Sequence, residues 1–350
     1  MEFLNAPRFV ALALAAVFAH PPCAAAEPVA AGGSGYHVVG SVALPGDGAG
    51  DYLALDADAR RLYVTHSDSV QVLDADSLQM VGTIAGTPHC HGVVLLDKLG
   101  KGFVSSGQPG GVVVFDLKTL KHLDEIHSSP DTDGIAYDPA SGYVFTFNGD
   151  SKNATVIDPA TDSVVKILDL GGDPEAAAAD GKGLLFDNLK DKSEVIRINT
   201  GSLRIEKRWP LAPGQSPSGM AMDRGHRRLF IGCRDELLVV MDADSGRIVQ
   251  TLPIGGRIDA TVFDPASGTV FNSCGDGTLS VIHEDSPDKF HIVENAPTEL
   301  GAKTMAFDPH SGRVFLSTAR WEAPPAQTKT MPKIRRKIVP GSFHVLALSR

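Results

Sequence analysis

Short apolar runs, each closing on an aspartate, recur along the chain: "YLALD" at Asp56, "GVVLLD" at Asp97, "GIAYD" at Asp138, "AAAAD" at Asp180, "GMAMD" at Asp223, "ATVFD" at Asp264 and "TMAFD" at Asp308. Successive aspartates stand 41 to 44 residues apart. A second set of runs follows in register: "VQVLD" at Asp74, "VVVFD" at Asp116, "ATVID" at Asp158, "VIRIN" at Asn199, "LVVMD" at Asp242, "LSVIH" at His283 and "FHVLA" at Ala347. Between the two sets lie "RLYVTH", "KGFVSS", "YVFTFN", "RLFIGC", "TVFNSC" and "RVFLST", rich in β-branched and aromatic residues and bounded by Pro, Ala, Ser and Gly turns. Each unit therefore predicts four short strands, and no long amphipathic helical pattern interrupts them. Four strands repeated every 40 to 50 residues or so is the spacing of β-propeller blades. Strands covered on both faces by neighbouring blades read as continuous apolar runs such as "VVVF" rather than as an alternation.

The seventh unit offers a first strand at Met305, a second at Val314 and a third at Phe343, with no fourth before Arg350. The segment "YHVVGSVALPG", Tyr36 to Gly46, matches "LQMVGTIAG", the fourth strand of the first unit. It is expected to complete the last blade, close the ring and remove an exposed edge. The predicted fold is thus all-β: a seven-bladed β-propeller of four-stranded antiparallel blades over residues 36–350, closed by the N-terminal strand.

Length and composition agree with a soluble globular protein: 350 residues, 43% hydrophobic, net charge −10. The acidic excess opposes sequence-independent nucleic-acid binding, which needs a basic face. At the N-terminus, Arg8 precedes an apolar run, Phe9 to Ala19, too short to span a bilayer, and Ala24 to Ala26 supply small residues before Glu27. Residues 1–26 read as a signal peptide and 27–35 as a flexible linker. A lipoprotein site at Cys23 would want a small or aliphatic approach, where the chain has His20-Pro21-Pro22. The expected mature protein is exported, periplasmic and monomeric, with no membrane span. It retains Cys90, Cys233 and Cys274, enough for one intrachain disulfide at most.

The stretches "RRLYVTHSDSVQVLDADS" and "YVFTFNGDSKNATVIDPATDSVV" resemble the YncE-like, YVTN-type β-propeller repeat family of exported bacterial proteins. The resemblance runs from about Tyr36 to Arg350, with "DPASG", "DGKG", "DSPDK" and "IVPGSF" at the family's blade turns and last strand. It implies a periplasmic propeller with a binding role, DNA having been suggested as the ligand of some members. WD-repeat propellers are a poor match, since neither Trp209 nor Trp321 precedes an aspartate. The per-blade tryptophan docking motifs of quinoprotein dehydrogenases are likewise missing from the sequence.

In a propeller the first strand lines the channel, and the fourth-to-first connection shares a rim with the second-to-third loop. Counting five residues back from each marker aspartate predicts a rim of Asp51, Gly92, Asp133, Glu175, Ser218, Asp259 and Lys303. The ends of the second strands predict His66, Gly107, Asn148, Asn188, Cys233, Cys274 and Thr318 on the same rim. The stretch "GTPHCHG" adds His89 and His91, and a His-x-His pair on a strand puts both imidazoles on one side. With Asp133 and Glu175, and Asp259 beyond them, His89 and His91 form a candidate set for a divalent transition metal in the channel mouth. In the other reading the histidines bond local carbonyls and the acidic ring binds water. Cys90 should point away from its flanking histidines, against a thiolate–imidazole nucleophile, and no G-x-S-x-G motif occurs.

Cys233 and Cys274 occupy equivalent places in adjacent blades, as a disulfide or as two buried thiols. Asp74, Asp116, Asp158 and Asp242 are expected to cap turns. Trp321 to Gly341 reads as an insertion in the last blade, made basic by Lys329, Lys333, Arg335, Arg336 and Lys337. It is either a solvated loop or an arm for anionic partners. Together these features predict a binding or scaffold propeller that contacts a small ligand or a periplasmic protein through its rim and last-blade loop. The alternative is a lactonase-like, metal-dependent hydrolase that uses rim His, Asp and Glu residues around a metal-activated water.

Overall fold

Each repeat unit is one antiparallel sheet of four strands, and seven such sheets carry the chain. Blade one consists of Gly50–Asp56, Arg61–His66, Ser69–Asp74 and Met80–Ala85, and the pattern recurs through blade six, which ends with Lys289–Pro297. This computed structural model describes residue 1, residues 35–322 and residues 337–350. The expected signal peptide, nearly all of the linker and most of the basic insertion, including Lys329, Lys333, Arg335 and Arg336, lie outside the described residues. Residues Gly35–Arg350 form one compact unit. Among the described residues the one helical element is a single 3-10 turn, Asp97–Leu99.

Closure follows the sequence reading. His37–Ala43 pairs with His344–Ser349, which pairs with Val314–Thr318 and then Thr304–Phe307. Tyr36 anchors the closing strand: its ring meets Phe271 of blade six edge-on at 5.3 Å, and its hydroxyl donates to the Gly312 carbonyl at 3.1 Å. Seven apolar clusters fill the seven seams between blades. Phe230, Leu238 and Val240 of blade five meet Val270, Ile282 and Phe290 of blade six, for example. Phe315, Phe343 and Val345 of blade seven meet Leu62, Val64 and Leu73 of blade one. Each such side chain, taken fully from water, contributes about 1.5–3 kcal/mol. Inner strands are therefore apolar on both faces, whereas outer strands such as Ser163–Asp169 are largely exposed.

The aspartates cap turns as expected. Asp74 accepts from the Ser77 amide at 2.8 Å and its hydroxyl at 2.7 Å, and Asp116, Asp158 and Asp242 accept comparable bonds from Thr119, Ala160 and Ser245. Blade two departs from the pattern. There Leu96 pairs with Lys101 where Asp56 pairs with Arg61 and Asp138 with Tyr143. Asp97 falls one residue later, in the 3-10 turn, which Gly100 closes in the left-handed region at φ 64°.

Candidate functional site

The rim side chains owe their position to a backbone device repeated in the blades. In each of the first six, the first strand slips register after its opening residue, at Gly50/Leu53, Cys90/Val93, Thr132/Ile135, Pro174/Ala177, Pro217/Gly219 and Ile258/Ala260. Such bulges bend the strand and re-aim side chains. The bulged residues are Asp51, His91, Asp133, Glu175, Ser218 and Asp259, with Lys303 standing just before the first strand of blade seven. Two residues earlier the backbone is left-handed at His89, Asp131, Ser216, Arg257 and Gly301, so this entry turn belongs to the repeat. Hydroxyls of the preceding blade pin these rim residues: Ser105 donates to the Asp133 carbonyl at 2.5 Å and Ser273 to that of Lys303 at 2.6 Å.

Blade two is where the sequence count needs correction. The one-residue offset of Asp97 assigned Gly92 to the ring, and the structure puts His91 there. In the second predicted ring, His66, Asn148 and Asn188 are buried and bonded or packed within the seams. His66 stacks on Phe343 at 4.1 Å, Asn148 donates to Asn153 at 2.7 Å, and Asn188 donates to the Gly219 carbonyl at 3.1 Å. Burial also lowers the pKa of His66, leaving it a neutral packing residue. The residues that do reach the rim from these loops come one or two positions later: Lys190 and Arg234, whose signal in the sequence was a lone cation just past a strand end.

The ring divides electrostatically into two arcs. On one, Glu175 accepts from Lys190 at 2.5 Å and Arg234 at 3.2 Å; Asp259 accepts from Arg234 at 3.1 Å and is paired with Lys303. Their charges are cancelled locally, and Lys303 also stands 3.8 Å from Asp51 Oδ1. On the other, His91 Nδ1 lies 2.8 Å from Asp51 Oδ2 and 3.4 Å from Asp133 Oδ1. His91 Nε2 lies 3.0 Å from His89 Nδ1. Burial disfavours the charged imidazole, but the bond to Asp51 and the charges of Asp133, Asp51 and Asp131 outweigh it, so the His91 pKa is raised. Burial and the neighbouring Asp51 carboxylate, eased in part by His91, push Asp133 up to about 7. Asp133 Oδ1 is shielded from solvent and has no hydrogen-bond partner.

The predicted metal set is therefore assembled only in part. His91 and Asp133 converge, Asp51 joins them, Glu175 is taken up by Lys190 and Arg234, and His89 touches His91 rather than the carboxylates. Glu175 and Asp259 also border a void of about 230 Å³ lined by first-strand residues that include Tyr52, Gly134, Gly219 and Ala260. Tyr52 is a site residue that the count missed. Burial raises its phenol pKa well above the ordinary value, reinforced by Asp259, Asp133, Glu175 and Asp51, and this holds it protonated beneath the ring.

The cysteines are inert. Cys90 is buried away from the histidines, as expected, and donates to the carbonyls of Ser67 and Ser69 at 3.4 and 3.2 Å. Cys233 and Cys274 are free buried thiols, not a disulfide, and burial pushes the Cys274 thiol up to about 11.

No protein-family model matches the chain, and no curated protein matches it in sequence. Solved structures do match in shape. The WD40 repeats of RRP9 align with a TM-score of 0.72 at 11% identity, covering 88% of this chain and 97% of that one. U3-55K aligns at 0.71 and 10%, covering 87% and 98%. Hydrazine synthase of Kuenenia stuttgartiensis aligns at 0.68 and 13%, covering 79% and 94%. At these identities the likeness shows the fold alone: the protein is a seven-bladed β-propeller. Among the described residues no helix is long and apolar enough to cross a membrane.

Proposed function

We propose that this is an exported, periplasmic binding propeller, related to the YncE-like family, whose channel mouth receives a positively charged ligand between blades one and three. The single observation that carries the reading is the asymmetry of the ring. Glu175 and Asp259 have close cationic partners, while Asp51 has only Lys303 at 3.8 Å besides the His91 imidazole it shares with Asp133, whose Oδ1 makes no hydrogen bond. A cation entering this arc gains the Coulomb attraction that Lys190 and Arg234 gain elsewhere on the rim. The ligand is a small cation or the basic tip of a protein side chain. The basic composition of the insertion, whose base is bridged at Trp321 and Ile338 in blade seven, supports a protein partner with anionic groups.

Thermal unfolding of the mature protein against a panel of putrescine, arginine, choline and Zn2+, with glutarate as an anionic control, tests the reading. Cationic members should raise the Tm in proportion to the logarithm of their concentration above Kd. The rise should vanish in the Asp51→Asn/Asp133→Asn variant. A panel with no stabilising cation, or one that stabilises both proteins equally, removes the proposal.

A further inference from the structure

We propose that the ligand of the channel mouth is one divalent transition-metal ion, held by His91 Nδ1 and one carboxylate oxygen each from Asp51 and Asp133, with His89 as a positioning residue behind His91. The inference rests on the reading of the mouth as a cation site and names the cation.

Three donors from three consecutive blades converge there. His91 Nδ1 is 2.8 Å from Asp51 Oδ2 and 3.4 Å from Asp133 Oδ1. A tetrahedral ion with bonds of about 2.0–2.2 Å spaces its ligand atoms roughly 3.3–3.6 Å apart, so a small outward shift of Asp51 makes room. Asp133 Oδ1 points the same way: it is shielded from solvent and makes no hydrogen bond, although His91 Nδ1 stands 3.4 Å away, and buried polar atoms are ordinarily bonded. Metal-ligating histidines usually donate their second N–H to a fixed acceptor, and His89 Nδ1 is in place at 3.0 Å from His91 Nε2. In the metal-bound form Nδ1 gives its lone pair to the ion, the proton it now shares with Asp51 leaves to solvent, and Nε2–H donates to His89. Glu175 and Asp259 stay outside the shell because their cationic partners hold them. An imidazole with two carboxylates suits first-row transition ions better than Mg2+ or Ca2+, which prefer oxygen ligands throughout.

Among the described residues two other trios of potential ligands lie elsewhere: His283, Asp285 and His291 on the outer hairpin of blade six, and Asp223, His226 and Glu284 on the marker-aspartate side of blades five and six. The test is therefore a difference between variants. Zn2+ stoichiometry of the mature protein is measured by equilibrium dialysis, and Co2+ is titrated to read its visible d–d absorption. His91→Ala and Asp133→Asn should each lower the zinc bound by one ion per chain and remove one cobalt spectrum, with unchanged circular dichroism. His291→Ala and His226→Ala should leave that ion in place, and His89→Ala should retain it with affinity reduced about 10–100-fold. Asp133→Asn is isosteric and decides the matter if His91→Ala does not fold. Zinc stoichiometry equal to wild type in Asp133→Asn overturns the proposal, as does a wild-type protein that takes up no zinc. If putrescine, arginine or choline still stabilises the protein through Asp51 and Asp133, only the metal is lost and the binding site stands. If no cation binds, both fall.

Discussion

Arg60 of blade one and Asp308 of blade seven meet across the closing seam, the guanidinium donating from Nη1 at 2.9 Å and Nη2 at 2.7 Å to the two carboxylate oxygens. The Asp308 side chain is fully buried. Burial pushes its carboxyl up, but the bonds from Arg60, Ser311 and the His310 amide outweigh this and hold it at about 2. Because the folded pKa lies below the unfolded value, the stabilisation is complete above about pH 4 and is lost as pH falls toward 2. Arg60→Met should therefore cost about 3 kcal/mol at pH 7 and much less at pH 2.5. Urea unfolding at both pH values measures this, and an equal loss at the two would refute it.

Deleting Tyr36 to Leu44 should leave His344–Ser349 as an open edge and empty the contacts of Tyr36 and Leu44, both buried. A fall in Tm of about 10 °C or more, with loss of soluble yield, is expected. Unchanged melting and solubility would mean that the ring does not depend on this strand.

A methyl group at Gly107 would lie 2.9 Å from both His89 Nδ1 and His91 Nε2, but 3.4 Å from the nearest backbone atom. Gly107→Ala should thus part the two imidazoles and spare the fold. We expect a Tm within about 2 °C of wild type and cation binding at the mouth weakened by an order of magnitude or more. Calorimetric titration with Zn2+ checks this, and retained affinity would show that the histidine pair is not part of the site.

Asp187, on the second strand of blade four, is fully buried and neither carboxylate oxygen has a hydrogen-bond partner. Burial raises its pKa well above the ordinary value, with Glu175 adding to the shift. A raised folded pKa means that the residue costs stability once pH exceeds the unfolded value near 4, and costs less below it. Asp187→Asn should stabilise the protein at pH 7 by about 1 kcal/mol or more, with a smaller gain at pH 4. Guanidinium unfolding at the two pH values decides it; a gain independent of pH would contradict the account.

Blade number, strand order, turn caps and the closing N-terminal strand were all legible along the chain, because each rests on local causes. Apolar runs seek burial, aspartates bond the amides two and three residues on, and an unpaired edge demands a partner. Counting back from the markers also found Asp51, Asp133, Glu175, Asp259 and Lys303. The count failed in blade two, where a 3-10 turn moved Asp97 by one residue and hid the place of His91 in the ring. Turn geometry of that kind leaves the hydrophobic pattern unchanged.

The partition of the ring lay beyond the sequence. That Lys190 and Arg234 neutralise Glu175 and Asp259 while Asp51 and Asp133 meet at His91 depends on bulges that turn these side chains toward one another. It depends equally on ring closure, which brings Thr304 Oγ1 to 2.6 Å from the Asp51 carbonyl across 253 residues of chain. Periodicity reports what each strand buries. Which charges share a space is set by angles between blades and by seams closed at long range, and electrostatic pairing at a few ångströms is decided there.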